Sequence, residues 1–170
     1  MVDLVATFEG TSDGDPSTPN LDAFLDPAGN WMIGYGHPIT VKGIRAKRSD
    51  FPDRAAFKGQ TIRIGSEETQ IPNGITREQA RTLLRQDLQP FLDAVDSLVK
   101  VPLTTNQREA LASFVYNAGT GSLRNSSILS QLNAGNYDAV PDLLRNWRSK
   151  AVNVPGLQRR REAEAAMWSG

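Results

Sequence analysis

The chain has 170 residues, 39% of them apolar, and its 19 Lys and Arg balance its 19 Asp and Glu. That is enough apolar material for one core-bearing domain or two small lobes, and zero net charge argues against a general nucleic-acid binder. Cysteine is absent and histidine occurs once, which excludes disulfides, thiolate catalysis and any metal cage built on Cys or several His.

Met1 to Phe8 has no positively charged segment, and no stretch approaches the roughly 18–20 apolar residues of a membrane span. Neither a signal peptide nor stable membrane insertion is expected. Asp3 to Glu9 reads as a short helix with Leu4, Val5 and Phe8 on one side. Glu9 at its end, beside Phe8, is a candidate general acid if desolvation raises its pKa, although a Glu near a helix end is usually solvated. Thr11 to Asn20 consists of turn formers and reads as a loop. Ala23 to Leu25 and Trp31 to Tyr35 then flank Asp26-Pro27-Ala28-Gly29-Asn30, the pattern of a hairpin with a glycine-containing turn. Asp26 fits ordinary turn chemistry. It is also a candidate for the second of the two carboxylates that glycoside hydrolysis usually needs, with Glu9 the first. Spacing alone does not show that the two face each other.

Ile33-Gly34-Tyr35-Gly36-His37 places two glycines in a strand pattern, implying a sharp bend or close backbone approach, which suits a sugar chain lying against Gly34 and Tyr35. His37 is read as structural. Its candidate partner is Asp87, which sits on the apolar stripe of a long helix where a carboxylate needs a donor or a cation, a need that His37 or a neighbouring arginine could meet. From Pro38 to Asn73 one strand is predicted, at Thr61 to Ile64.

The helical half begins at Thr76-Arg77-Glu78-Gln79, a capping box. Apolar residues follow every three or four positions from Ala80 to Leu98, with a kink expected at Pro90. Thr105 or Asn106 is expected to cap the next helix, which carries Leu111, Phe114 and Asn117 and ends at Gly119 and Gly121. Asn117 is either a helix-end residue or a polar ligand contact. Ser127 to Leu132, Tyr137 to Trp147 and Gly156 to Trp168 read as further helices. Trp147 reads as core, or as a surface for stacking on a sugar. Residues 1–30 hold six acidic and no basic residues, whereas 145–161 hold Arg145, Arg148, Lys150, Arg159, Arg160 and Arg161 without an acid. Two readings stand: solvated faces of opposite sign, or two ends meeting across a cleft. Arg160 and Glu164 are read as an exposed i, i+4 pair. Sheet elements followed by a helical run make an α+β pattern.

Phe8-Glu9-Gly10, Leu25-Asp26-Pro27-Ala28-Gly29 and Ile33-Gly34-Tyr35-Gly36-His37 resemble the signature of phage-type (T4-like) lysozymes, glycoside hydrolase family 24. The resemblance continues through Ile75 to Ala80, Asn106 to Leu111, Tyr116-Asn117-Ala118-Gly119 and Pro155-Gly156-Leu157 with Arg160, Arg161 and Glu164. It implies a lysozyme-like fold in a single domain, 1–170. A hairpin-bearing lobe (10–75) and a larger helical lobe (1–9 and 76–170) would be joined by a long helix. It implies hydrolysis of the β-1,4 bond between N-acetylmuramic acid and N-acetylglucosamine in peptidoglycan, without a cofactor or metal. Glu9 falls at the family's general-acid position and Asp26 at its water-activating carboxylate. His37 and Asp87 fall at an ion pair, Asn117 at a polar substrate contact, and Arg160 near the acid.

Two departures matter. The family's third catalytic residue is a threonine six positions after the aspartate, and here that position is Met32. Met32 cannot hydrogen-bond a nucleophilic water as a hydroxyl does. Thr11, Ser12 and Thr18 are stand-in candidates, and a lytic transglycosylase using Glu9 alone or a catalytically silent wall-binding protein are the alternatives. The second departure is the Thr11 to Asn20 loop, which lengthens the Glu9 to Asp26 spacing. The expected setting is a monomer made in the host bacterial cytoplasm, which a holin-type protein releases to the wall.

Overall fold

The computed structural model describes residues 1–15, 17–147 and 155–170. Two compact units emerge. One comprises Val2 and Glu9–Asp87; the other comprises Met1, Asp3–Phe8 and Leu88–Gly170.

The first unit is built on short antiparallel strands. β1 (Phe24–Leu25), β2 (Trp31–Ile33) and β3 (His37–Pro38) form a three-stranded sheet in that order. β4 (Thr40–Val41) pairs with β5 (Ile44–Arg45), and β6 (Thr61–Ile64) pairs with β7 (Glu67–Gln70). Strand alternation puts Trp31 and Ile33 into the core and Met32 on the other face. The core gathers Leu21, Ile33, Ile39, Ile64, Ile71 and Ile75 around Phe57. Phe57 stacks on Phe51 at 4.4 Å and meets Trp31 edge-on at 5.4 Å, while Trp31 Nε1 donates to the Phe51 carbonyl at 2.8 Å. That bond satisfies the indole's one polar atom inside an apolar cluster.

The described residues of the expected loop, 11–15 and 17–20, form no helix or strand, and they are tethered. Arg54 reaches Asp15 and Asp22, each at 2.9 Å, and Thr18 Oγ1 donates to Asp22 Oδ2 at 2.5 Å. Asp22 is 4% exposed, so it is a buried, paired carboxylate and not part of a solvated acidic face. Thr18, a stand-in candidate for the missing hydroxyl, spends its hydroxyl here.

The second unit is helical. α1 (Val2–Glu9) and α2 (Arg77–Leu98) each straddle the division in sequence. Thr76 and Gln79 cap α2 reciprocally, at 2.9 and 3.1 Å. Helical backbone continues through Pro90 to Leu98, so the ring withdraws one N–H without ending the helix. α3 (Thr105–Ala118) is capped by Thr104, whose capping box with Gln107 corrects the expected cap at Thr105 or Asn106. Gly119 ends α3, but Gly121 lies inside α4 (Thr120–Arg124). α5 (Ser127–Asn133), α6 (Val140–Asn146) and α7 (Pro155–Ser169) follow.

The charged start of α7 is the main correction to the sequence reading. Arg160, Arg161 and Glu164 are 5%, 1% and 0% exposed, because this face of α7 packs on α3. Glu164 accepts from Ser113 Oγ at 2.8 Å and from Arg161 Nη1, and Arg160 Nε lies 3.5 Å from it. The Arg161 guanidinium lies over the rings of Phe114 and Trp147, at 4.7 and 5.0 Å, which makes Trp147 a packing residue. Arg145 pairs with Asp142 and Glu162 on the surface. Arg148 and Lys150 lie outside the described residues.

Candidate active site

Asp26 opens the turn between β1 and β2. Its Oδ1 accepts from the backbone N–H groups of Ala28 (2.9 Å) and Asn30 (2.8 Å), and its Oδ2 from Asn30 Nδ2 at 2.8 Å. The turn closes through Asp26 N–H to the Asn30 carbonyl and Gly29 N–H to the Asp26 carbonyl. The contacts that shape the turn therefore also aim the carboxylate. The Asn30 side chain first, then its backbone N–H, hold the Asp26 carboxyl below the usual carboxylate range; Ala28 and the charge of Arg45 add to this, against a desolvation effect.

A depressed pKa has a definite sign. The folded chain favours ionised Asp26. That contribution is present above the ordinary carboxylate pKa and is lost as pH falls through the depressed value. Asn30→Ala removes the first of the donors, so the pKa of Asp26 rises. In a pH–activity profile of this variant the acid limb moves to higher pH. An unmoved limb would mean that Asp26 does not titrate in the reaction.

Glu9 is the last residue of α1 and precedes Gly10, whose φ of 66° turns the chain out of the helix. The Glu9 side chain is exposed, so the burial expected from its place beside Phe8 is absent. Phe8 lies under the Arg160 guanidinium at 5.4 Å, and Tyr116 also faces that guanidinium at 5.5 Å. Arg160 is thus anchored to the residue preceding Glu9 by a cation–π contact.

Met32 lies at the centre of the three-stranded sheet, paired with Phe24 on one side and Pro38 on the other. Its cross-strand neighbours are apolar. The flanking segment His37 is brought to Asp87, with Nδ1 at 2.8 and 2.9 Å from the two carboxyl oxygens. This pair ties β3 to the first half of α2. Gly34 is buried at φ 63°, and a Cβ there would come within 3.1 Å of Ala80 Cβ and 3.3 Å of Ile75 Cδ1. Its close approach is to the start of α2, not to an open surface. Tyr35 is half-buried against the same core. Asn117 is exposed, and its side-chain carbonyl accepts from Arg161 Nη2, which orients the amide. The sequence reading missed Asn30 and Arg54. Asn30 had a signal, an Asx-type position closing a turn that starts with Asp. Arg54 had none, because its partners are 39 and 32 residues away.

Among the described residues no group of three or more His, Asp or Glu is placed to hold a metal ion. No helix among them is long and apolar enough to cross a membrane.

The profile of the family described as "Phage lysozyme" matches residues 17–164, a span that includes Asp26, Met32, His37 and Asp87 and begins after Glu9. The endolysin of Salmonella phage P22 is 36% identical over 148 residues, covering 87% of this chain and 86% of that protein. The endolysin of Bacillus phage B103 is 43% identical over 95 residues, and that match spans only 36% of its length. Among solved structures, a P22 lysozyme variant superposes with a TM-score of 0.69 at 30% identity, covering 99% of this chain and 94% of that one. The muramidase domain of SpmX from Asticaccaulis excentricus gives 0.64 at 31%, covering 98% and 92%. A profile match over most of the chain and full-length structural likeness at this level of identity have one reading: the chain has the α+β lysozyme fold and belongs to the phage lysozyme family.

Proposed function

We propose that this peptidoglycan hydrolase is a muramidase of the T4-like type, glycoside hydrolase family 24. It would cut the β-1,4 bond between N-acetylmuramic acid and N-acetylglucosamine by adding water. Glu9 donates a proton to the bridging oxygen as the bond to C1 breaks. A water on the opposite face attacks C1 and gives its proton to Asp26, with inversion. Substrate lying over exposed Glu9 supplies the exclusion of water that the protein alone does not. Gly34, Tyr35 and Asn117 are assigned to the sugar-binding surface, Gly34 through backbone shape. Arg160 is assigned to holding the acid's end of α1. No cofactor or metal enters the reaction. The protein acts as a monomer on the wall, reached from the host cytoplasm with a holin-type partner.

The observation that carries this reading is the Asp26 clamp: three N–H contacts keep one carboxylate ionised and fixed in a turn inside the family-matched span. A carboxylate so held is a weaker base but a stronger electrostatic support for a positively charged sugar transition state. Met32 is what keeps a transglycosylase in view, since a reaction that uses the sugar's own hydroxyl needs no positioned water.

Clearing of outer-membrane-permeabilised Gram-negative cells tests the reading, with Met32→Thr beside the wild type. Both clear, and Met32→Thr is faster by up to about tenfold, the scale of one added hydrogen bond to the water. If neither clears while both sediment with cell walls, the chain is a silent wall-binding protein.

A further inference from the structure

The β4–β5 hairpin combines three features, of which the reaction above draws only on the charge of Arg45 near Asp26. Its two-residue turn, Lys42-Gly43, has φ values of 52° and 78°. That is the left-handed geometry of a tight hairpin, which favours Asn-Gly. Lys42 is the one non-glycine residue with positive φ among those described. The turn thus keeps a lysine where its backbone is strained, and such strain points to a functional constraint.

Next to it, Ile44 is 73% exposed, the one large hydrophobic so exposed among the described residues. Its cross-strand partner Val41 packs on the core. A lone exposed isoleucine is ordinary. This one sits in a basic run. Lys42, Arg45, Lys47 and Arg48 are all exposed, and no acidic residue occurs from Pro38 to Ser49. The Arg45 charge acts on the Asp26 carboxylate. The platform is rigid: Ala46 is buried, Asn30 bridges to Lys47, and Arg48 N–H donates to the Gly29 carbonyl at 2.9 Å.

We propose that the β4–β5 hairpin is a peripheral docking tip for an anionic lipid bilayer, with Ile44 entering the headgroup boundary and the basic residues meeting lipid phosphates. Charge alone would suit any polyanion. An apolar side chain held out at the end of a strained cationic turn gains only where an apolar phase lies beneath the charges. The docking is independent of the catalytic reading and needs no spanning helix.

Co-sedimentation of the full chain with vesicles tests it. Vesicles of phosphatidylglycerol and phosphatidylcholine in equal parts are compared with phosphatidylcholine alone. The wild type binds the anionic vesicles and is released by salt. Lys42→Asn weakens binding about fivefold, the usual effect of one basic residue at such a surface. Its thermal midpoint holds or rises, because Asn adopts a positive φ more readily. Ile44→Ser weakens binding about tenfold. Equal binding to both vesicle types, or no vesicle binding by the wild type, overturns the proposal. So do variants that bind anionic vesicles like the wild type. If the variants lose affinity for purified, lipid-free sacculi instead of vesicles, the tip recognises wall polymer and the lipid assignment is wrong.

Discussion

Glu9→Gln lowers turnover about 10²–10⁴-fold, the contribution of a positioned general acid, while leaving folding and wall binding in place. The amide keeps the size of the carboxyl and cannot give up a proton. Because Glu9 is exposed at the end of α1, its replacement empties no core position, and the thermal midpoint moves no more than an ordinary surface substitution moves it. Loss of activity is then not a loss of fold. The check is initial clearing rate together with a melting curve. A folded Glu9→Gln protein that clears like the wild type removes Glu9 from the chemistry.

Glu164→Ala has the largest expected effect on stability. Glu164 is fully buried between Ser113 and the Arg161 guanidinium, with Arg160 beside it. Burial pushes the Glu164 carboxyl up and the Arg161 guanidinium down, while their mutual attraction works the other way on both. Deleting the carboxylate leaves buried positive charge uncompensated, which costs about 3–5 kcal/mol. For a chain of this size that lowers the melting point by about 6–20 °C. Arg145→Ala, which breaks exposed pairs, serves as the contrast and moves the midpoint little. Replacing the charges together, as in Arg161→Met with Glu164→Leu, recovers part of the loss, because the apolar pair carries no desolvation penalty. A Glu164→Ala protein that melts within a degree or two of the wild type contradicts this account of α7.

Some of these features are legible in the sequence because they follow from local rules. The Thr76–Gln79 capping box, the β1–β2 hairpin around Asp26 and the helical stripe carrying Asp87 each declare themselves within a few residues. The α3 cap obeys the same rule at Thr104, one or two residues before the expected Thr105 or Asn106. β3, β4 and β5 escaped notice because two-residue strands hold too little alternation to register. The burial of Arg160, Arg161 and Glu164 was hidden for a different reason. Charged residues default to exposure, and only the packing of α7 on α3 shows otherwise. The site is legible in part. Asp26 stands out in its turn, but the Asn30 donors that set its charge state, and the Arg54 tether on the preceding loop, depend on geometry that spacing does not encode.

The most direct test is mass spectrometry of the muropeptides released from purified sacculi. Hydrolysis with Glu9 and Asp26 predicts fragments ending in reducing N-acetylmuramic acid, each having gained one water. Fragments ending in the 1,6-anhydro form would show that the sugar's own hydroxyl replaces water and would contradict the role given to Asp26.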